Sequence, residues 1–194
     1  NAIAAVLLVC LQTGLTAQGL AAYVHSNADT AWGEEALYTD AMTAYFGADW
    51  DNLDFETADV ALLFSDERVF VYLEGSDGMA EELEVFLTAN AEAIEAWVKQ
   101  GGRLYVNSAP NEGDGMAFPF DVALMYDGDG TTEGDAANAV DPDDAALSGP
   151  NAVTERQFTG SSASHAFVSG NKLVPILRDE DFRHELAANQ VRAR

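Results

Sequence analysis

The chain has a single cysteine, Cys10, and only two lysines, Lys99 and Lys172, among its 194 residues. One thiol excludes an intrachain disulfide. The scarcity of positive charge is general: 9 Lys and Arg stand against 33 Asp and Glu, a net charge of −24. Such a surface repels phosphate backbones and excludes nucleic acid as a default partner. It suits a salty medium, divalent cations or a basic partner. A membrane-length apolar run is also lacking. The apolar part of AIAAVLLVCLQTGLTAQG at the N-terminus is roughly 16 residues long, where a span needs roughly 20.

What is present is enough for a core. Hydrophobic residues make up 48% of the chain and aromatics 10%, which argues against wholesale disorder, and the length fits one domain over residues 20–194. Residues 1–19 have the length of a signal-peptide apolar region, with small residues at Ala17 and Gly19 placed as at a cleavage site. This reading predicts a secreted or cell-surface product. The alternatives are a buried strand over Ile3 to Val9, or a lipoprotein box ending at Cys10.

The pattern downstream is α/β. Leu20 to Val24 reads as a strand, and Glu34 to Phe46 as a helix with Leu37, Ala41, Ala44 and Tyr45 near one face and Gly47 as its stop. Asn52 to Phe55 reads as a brief strand, and Val60 to Phe64 is apolar without a clear period. Val69 to Leu73 is apolar on both faces, as a central parallel strand should be. Asp77 is placed to N-cap a helix that keeps its spacing through Leu83, Phe86, Leu87, Ile94, Trp97 and Val98, with Asn90 as a candidate break and Gly101 beyond its end. Strand Leu104 to Val106 completes a βαβ unit. Short strands are expected at Phe120 to Tyr126, Phe167 to Val168 and Leu173 to Leu177. The tail RDEDFRHELAANQVRAR reads as a terminal helix or an incomplete final unit.

Open parallel sheets bind ligands beyond the carboxyl ends of their strands. That edge gathers His25, Asn27 and Asp29 after the first strand, Glu74, Ser76 and Asp77 after the second, and Asn107, Ser108, Asn111, Glu112 and Asp114 after the third. The result is an acidic, polar ligand crevice, although Asp and Asn also favour turns for local reasons.

The segment IEAWVKQGGRLYVNSAPNEG resembles the helix–Gly-Gly–strand segment of the class I glutamine amidotransferase-like superfamily, and the later FTGSSASHAFVSG resembles segments that follow this fold in large secreted bacterial proteins. The resemblance covers about residues 20–177. It implies a flavodoxin-like three-layer sandwich with a mostly parallel central sheet. Active members place a cysteine at the elbow after such a strand, and later a histidine and a glutamate close together. Here the elbow carries Ser108-Ala109-Pro110, no cysteine follows Cys10, and His165 is not followed by Pro-Glu. The implied fold thus comes without amidotransferase chemistry.

Two further constellations bear on function. In YDGDGTTEGD, Asp127, Asp129, Glu133 and Asp135 alternate with glycine, which lets hard oxygens converge as Ca²⁺ requires. The match to an EF-hand loop is partial, and a solvated acidic loop is the competing reading; no organic cofactor is expected. Ser108 with His165 would make a hydrolase. Against this, Val106 and Pro110 occupy the positions where a Gly-x-Ser-x-Gly elbow needs glycine. The sequence therefore predicts a non-catalytic binding or structural module of a larger extracellular protein, taking a carbohydrate or a partner domain, with the Ser108–His165 hydrolase as the alternative.

Overall fold

The structure is a computed structural model that describes residues 19–31, 33–109, 115–126, 138–141, 143, 147, 166–171, 173–178 and 184–189. Its centre is a four-stranded, all-parallel sheet. The strands are β1 (Ala21–His25), β2 (Trp50–Asp54), β3 (Phe70–Ser76) and β4 (Arg103–Ala109), in the order β2-β1-β3-β4. β1 pairs on both sides, with Tyr23 opposite Asn52 in β2 and Tyr72 in β3. Its residues Ala21 to Val24 are fully buried. That is the burial expected of a strand covered on both faces.

The two faces differ in chemistry. On one, Val24, Val71 and Leu73 meet helix α3 (Ala80–Lys99) and the short helix α2 (Val60–Leu63). α3 presents Leu83, Phe86, Leu87, Ile94 and Trp97 to the sheet, an apolar stripe at helical spacing. Each such side chain contributes about 1.5–3 kcal/mol by leaving water. The Trp97 indole N–H also donates to the carbonyls of Ser65 and Arg68, 3.1 Å each. Gly75 is required by this packing, because a Cβ there would run into Leu83. Asp59 caps α2 by accepting from the amides of Ala61 and Leu62. The uncertain Val60–Phe64 run is therefore helical.

The other face is aromatic. Tyr23, Phe70 and Tyr72 pack under helix α1 (Glu35–Phe46), which buries Met42 and half-buries Tyr38 and Phe46. This corrects the expected helix face. Leu37, Ala41, Ala44 and Tyr45 point to solvent, with Leu37 and Tyr45 64% and 66% exposed. Gly47 ends α1 as expected, with φ 64° and its amide bonded to the Thr43 carbonyl.

Three other expectations change. Asp77 does not cap α3. It sits in a left-handed conformation (φ 54°) at the head of a 3-10 turn, Asp77–Met79, and α3 begins only at Ala80. Asn90 does not break the helix, because its side-chain amide donates to the Phe86 carbonyl, 2.8 Å away, and turns a helix-disfavouring group inward. In the C-terminal segment, His184–Asn189 is a strand, β10, paired antiparallel with β9 (Leu173–Arg178). Pairing with β9 outweighs the helical propensity of Leu186, Ala187 and Ala188.

Beyond β4 the described residues form two antiparallel three-stranded sheets. One is β5 (Met116–Phe118), β6 (Val122–Tyr126) and β8 (Ala166–Ser169); the other is β10, β9 and β7 (Asn138–Ala139). Met116 and Leu124 join the core cluster built by α3 and the parallel sheet, so β5 and β6 close that core.

Candidate functional site

Register fixes which carboxyl-edge side chains meet. In the β3–β4 pairing Tyr72 lies opposite Tyr105, Glu74 opposite Asn107, and Gly75 opposite Ser108. Side chains alternate across a strand, so Tyr72, Tyr105, Glu74 and Asn107 share the α1 face while Ser108 takes the α3 face.

Glu74 is the centre of this site. It is fully buried. Its carboxylate accepts from the Tyr72 hydroxyl at 2.7 Å, from the Ser76 amide at 2.9 Å and hydroxyl at 2.5 Å, and from the Asn107 side-chain amide at 2.9 and 3.1 Å. A buried carboxyl is tolerated when its oxygens are held this fully. The tyrosines register its presence. Burial, and then the Glu74 charge, push the Tyr72 and Tyr23 phenols well above the usual range. Tyr23 is buried between stacked Tyr38 and His25, and its hydroxyl has no hydrogen-bond partner among the described residues. At the outer end of this face Tyr105 meets Tyr72 edge-on at 5.0 Å and remains 43% exposed, next to exposed Arg103.

The loop after β1 builds the second wall. The His25 ring is 2.8 Å from the Ser26 carbonyl through Nδ1 and 3.0 Å from Asn52 Oδ1 through Nε2, with Glu35 at 3.9 Å and Asp54 at 4.0 Å. Buried Ser26 donates to Glu56 at 2.6 Å and accepts from the Ala28 amide. Glu56 also accepts from the Asn27 amide at 3.3 Å. Burial alone would raise the Glu56 carboxyl, but the bonds from Ser26, its own amide and Asn27, with His25 nearby, hold it below its ordinary value. Asp29 is packed against Gly78, where any side chain would collide with the carboxylate. The loops after β1 and β3 therefore touch where the strand order reverses.

The structure brings together His25, Asn27, Asp29, Glu74, Ser76 and Asn107 along this edge, with Asp77 beside them in its left-handed turn. Ser108 stands apart: its hydroxyl faces Met116, 3.7 Å from Sδ, across the sheet from His25 and Glu74. Asn111, Glu112, Asp114 and His165 lie outside the described residues, as do Asp127, Asp129, Glu133 and Asp135 and residues 1–18. Sequence reasoning missed Asn52, Glu56, Tyr72 and Tyr105. The alternation in FVYLEGS, with Tyr and Glu two apart inside a buried strand, was the available signal.

Among the described residues no group of three or more His, Cys, Asp or Glu is arranged to hold a metal ion, and no helix is long and apolar enough to cross a membrane. Comparison with protein-family models, curated proteins and solved structures gives no match.

Proposed function

We propose that this chain is a non-catalytic binding module of a larger secreted or cell-surface protein, and that it takes a carbohydrate over Tyr105 and Asn107. The observation that carries this reading is the half-exposed Tyr105 ring, set on the same face as a carboxylate–amide network. An exposed aromatic ring offers a flat apolar surface to a sugar, and neighbouring amides and hydroxyls supply directional bonds. The Ser108 hydroxyl faces Met116, and Val106 and Pro110 stand where a nucleophile elbow needs glycine, which disfavours a hydrolase built on Ser108.

The order β2-β1-β3-β4 agrees with the first four strands of a flavodoxin-like sheet, whose ligands sit at the β1/β3 switch point. It supports assigning the chain to the class I glutamine amidotransferase-like fold. The outward apolar stripe of α1, Leu37, Ala41, Ala44 and Tyr45, favours a second contact, with a neighbouring domain of the parent protein. Calcium held by Asp127, Asp129, Glu133 and Asp135 completes the proposal as a stabilising ion. The test is retardation of the protein in gels containing a panel of soluble polysaccharides: Tyr105→Ala should abolish it, and Ser108→Ala should leave it unchanged.

A further inference from the structure

A groove of about 290 Å³ lies between the first turns of α3 and the residues that follow β2; it shares Glu56 with the wall of the carboxyl-edge site but is built on the α3 side of the sheet, away from Tyr105 and Asn107. Its floor is apolar: Phe55 and Phe86 are buried with ring centroids 4.9 Å apart, and Val85 stands 65% exposed beside them. Its rim is acidic. Glu56, Glu81 and Glu82 line it, and among the described residues no basic side chain does.

We infer that this groove binds an arginine side chain presented by an apolar segment of a partner protein. Two observations select that occupant. First, the volume is at the small end of ligand pockets, which run about 300–1,000 Å³, so it suits one long side chain rather than a larger ligand. Second, an apolar floor with a charged rim matches a side chain that lays a methylene stem on apolar surface and keeps a cationic head at its end.

Chemistry also separates arginine from its competitors. The three carboxylates border the groove, and among the described residues no such group converges as a metal site does. A planar, weakly hydrated guanidinium can bond to separated carboxylates through its fork of donors, which a compact ammonium does less well. The net charge of −24 would draw such a basic segment in from a distance.

The probe is a capped Leu-Arg-Leu tripeptide, titrated into the full chain and followed by amide NMR. Shifts are expected at Phe55, Glu56 and along residues 81–90, with affinity falling as salt is raised. Glu82→Gln should weaken binding roughly tenfold or more. Val85→Lys, on an exposed position that tolerates charge, should abolish it, and each variant's own spectrum reports that it is folded. The inference is overturned if the citrulline version of the peptide binds as tightly, if Glu82→Gln leaves the affinity unchanged, if the shifts map elsewhere, or if calcium chloride alone reproduces them. None of these outcomes bears on polysaccharide retention at Tyr105, so this inference and the carbohydrate reading fail separately.

Discussion

Asn107 donates its side-chain amide to both oxygens of Glu74, at 2.9 and 3.1 Å, across the β3–β4 pairing. The bond ties an edge strand to a buried charge, so its loss should be felt as stability. Asn107→Ala is expected to lower the unfolding free energy by about 1.5–3 kcal/mol, the range for hydrogen bonds to charged groups. Glu74→Ala should cost more, because Tyr72, Ser76 and Asn107 would all lose their acceptor, at about 1–3 kcal/mol for each buried donor left unsatisfied. Urea titrations of the two variants check both values.

The aromatic face predicts an alkaline limit. Tyr72 and Tyr23 have phenols raised above their ordinary value of 10.0 by burial and by the Glu74 charge. A raised folded value means that their stabilising contribution is full below pH 10 and is lost as the pH rises further. Phenolate absorbance from the buried pair should therefore appear only above pH 10 and together with unfolding. Titration of every tyrosine near pH 10 in a folded protein would contradict this.

Glu56 predicts the opposite limb. Its folded value lies below the ordinary 4.5, so its bonds to Ser26 and Asn27 stabilise the loop above that pH and are lost as the pH falls through the lowered value. The carboxylate is largely solvated, and Glu56→Ala should cost no more than about 1 kcal/mol at neutral pH. The difference from the parent should close as the pH drops below 4.5, measured by denaturation at a series of pH values.

How much of this was legible in the sequence varies by element. β1, β3 and β4 are continuous apolar runs between turn signals, and their order along the chain gave the parallel sheet. The face of α1 was misread because the helix carries two apolar stripes: Leu37, Ala41, Ala44 and Tyr45 on one side, Tyr38, Met42 and Phe46 on the other. Periodicity alone cannot choose between them. The aromatic residues Tyr23, Phe70 and Tyr72 do so, and they come from distant strands. Ser108 and Asn107 pose the same problem at smaller scale. Both follow one apolar run, and only the β3–β4 register assigns them to opposite faces. Local preference alone places Asp77 at a cap, whereas it adopts a left-handed conformation beside Gly78, which packs closely against Asp29 from a distant loop.

The calcium proposal rests on sequence, since Asp127, Asp129, Glu133 and Asp135 lie outside the described residues. A cation bound only by the folded chain stabilises by mass action, about 2.7 kcal/mol at a hundredfold excess over its dissociation constant. The melting temperature should therefore rise in millimolar calcium relative to chelator, and Asp129→Asn should reduce the rise. Identical melting in both conditions would remove calcium from the account.

The central claim is binding without chemistry at the carboxyl edge, and the most direct measurement compares three proteins on one polysaccharide panel. Parent, Tyr105→Ala and Ser108→Ala are run through polysaccharide-containing gels while the same samples are assayed for release of reducing ends. The account predicts retardation of the parent and of Ser108→Ala, free migration of Tyr105→Ala, and no release by any of them. Release of reducing ends by the parent that vanishes in Ser108→Ala would contradict it, as would free migration of the parent on every polysaccharide.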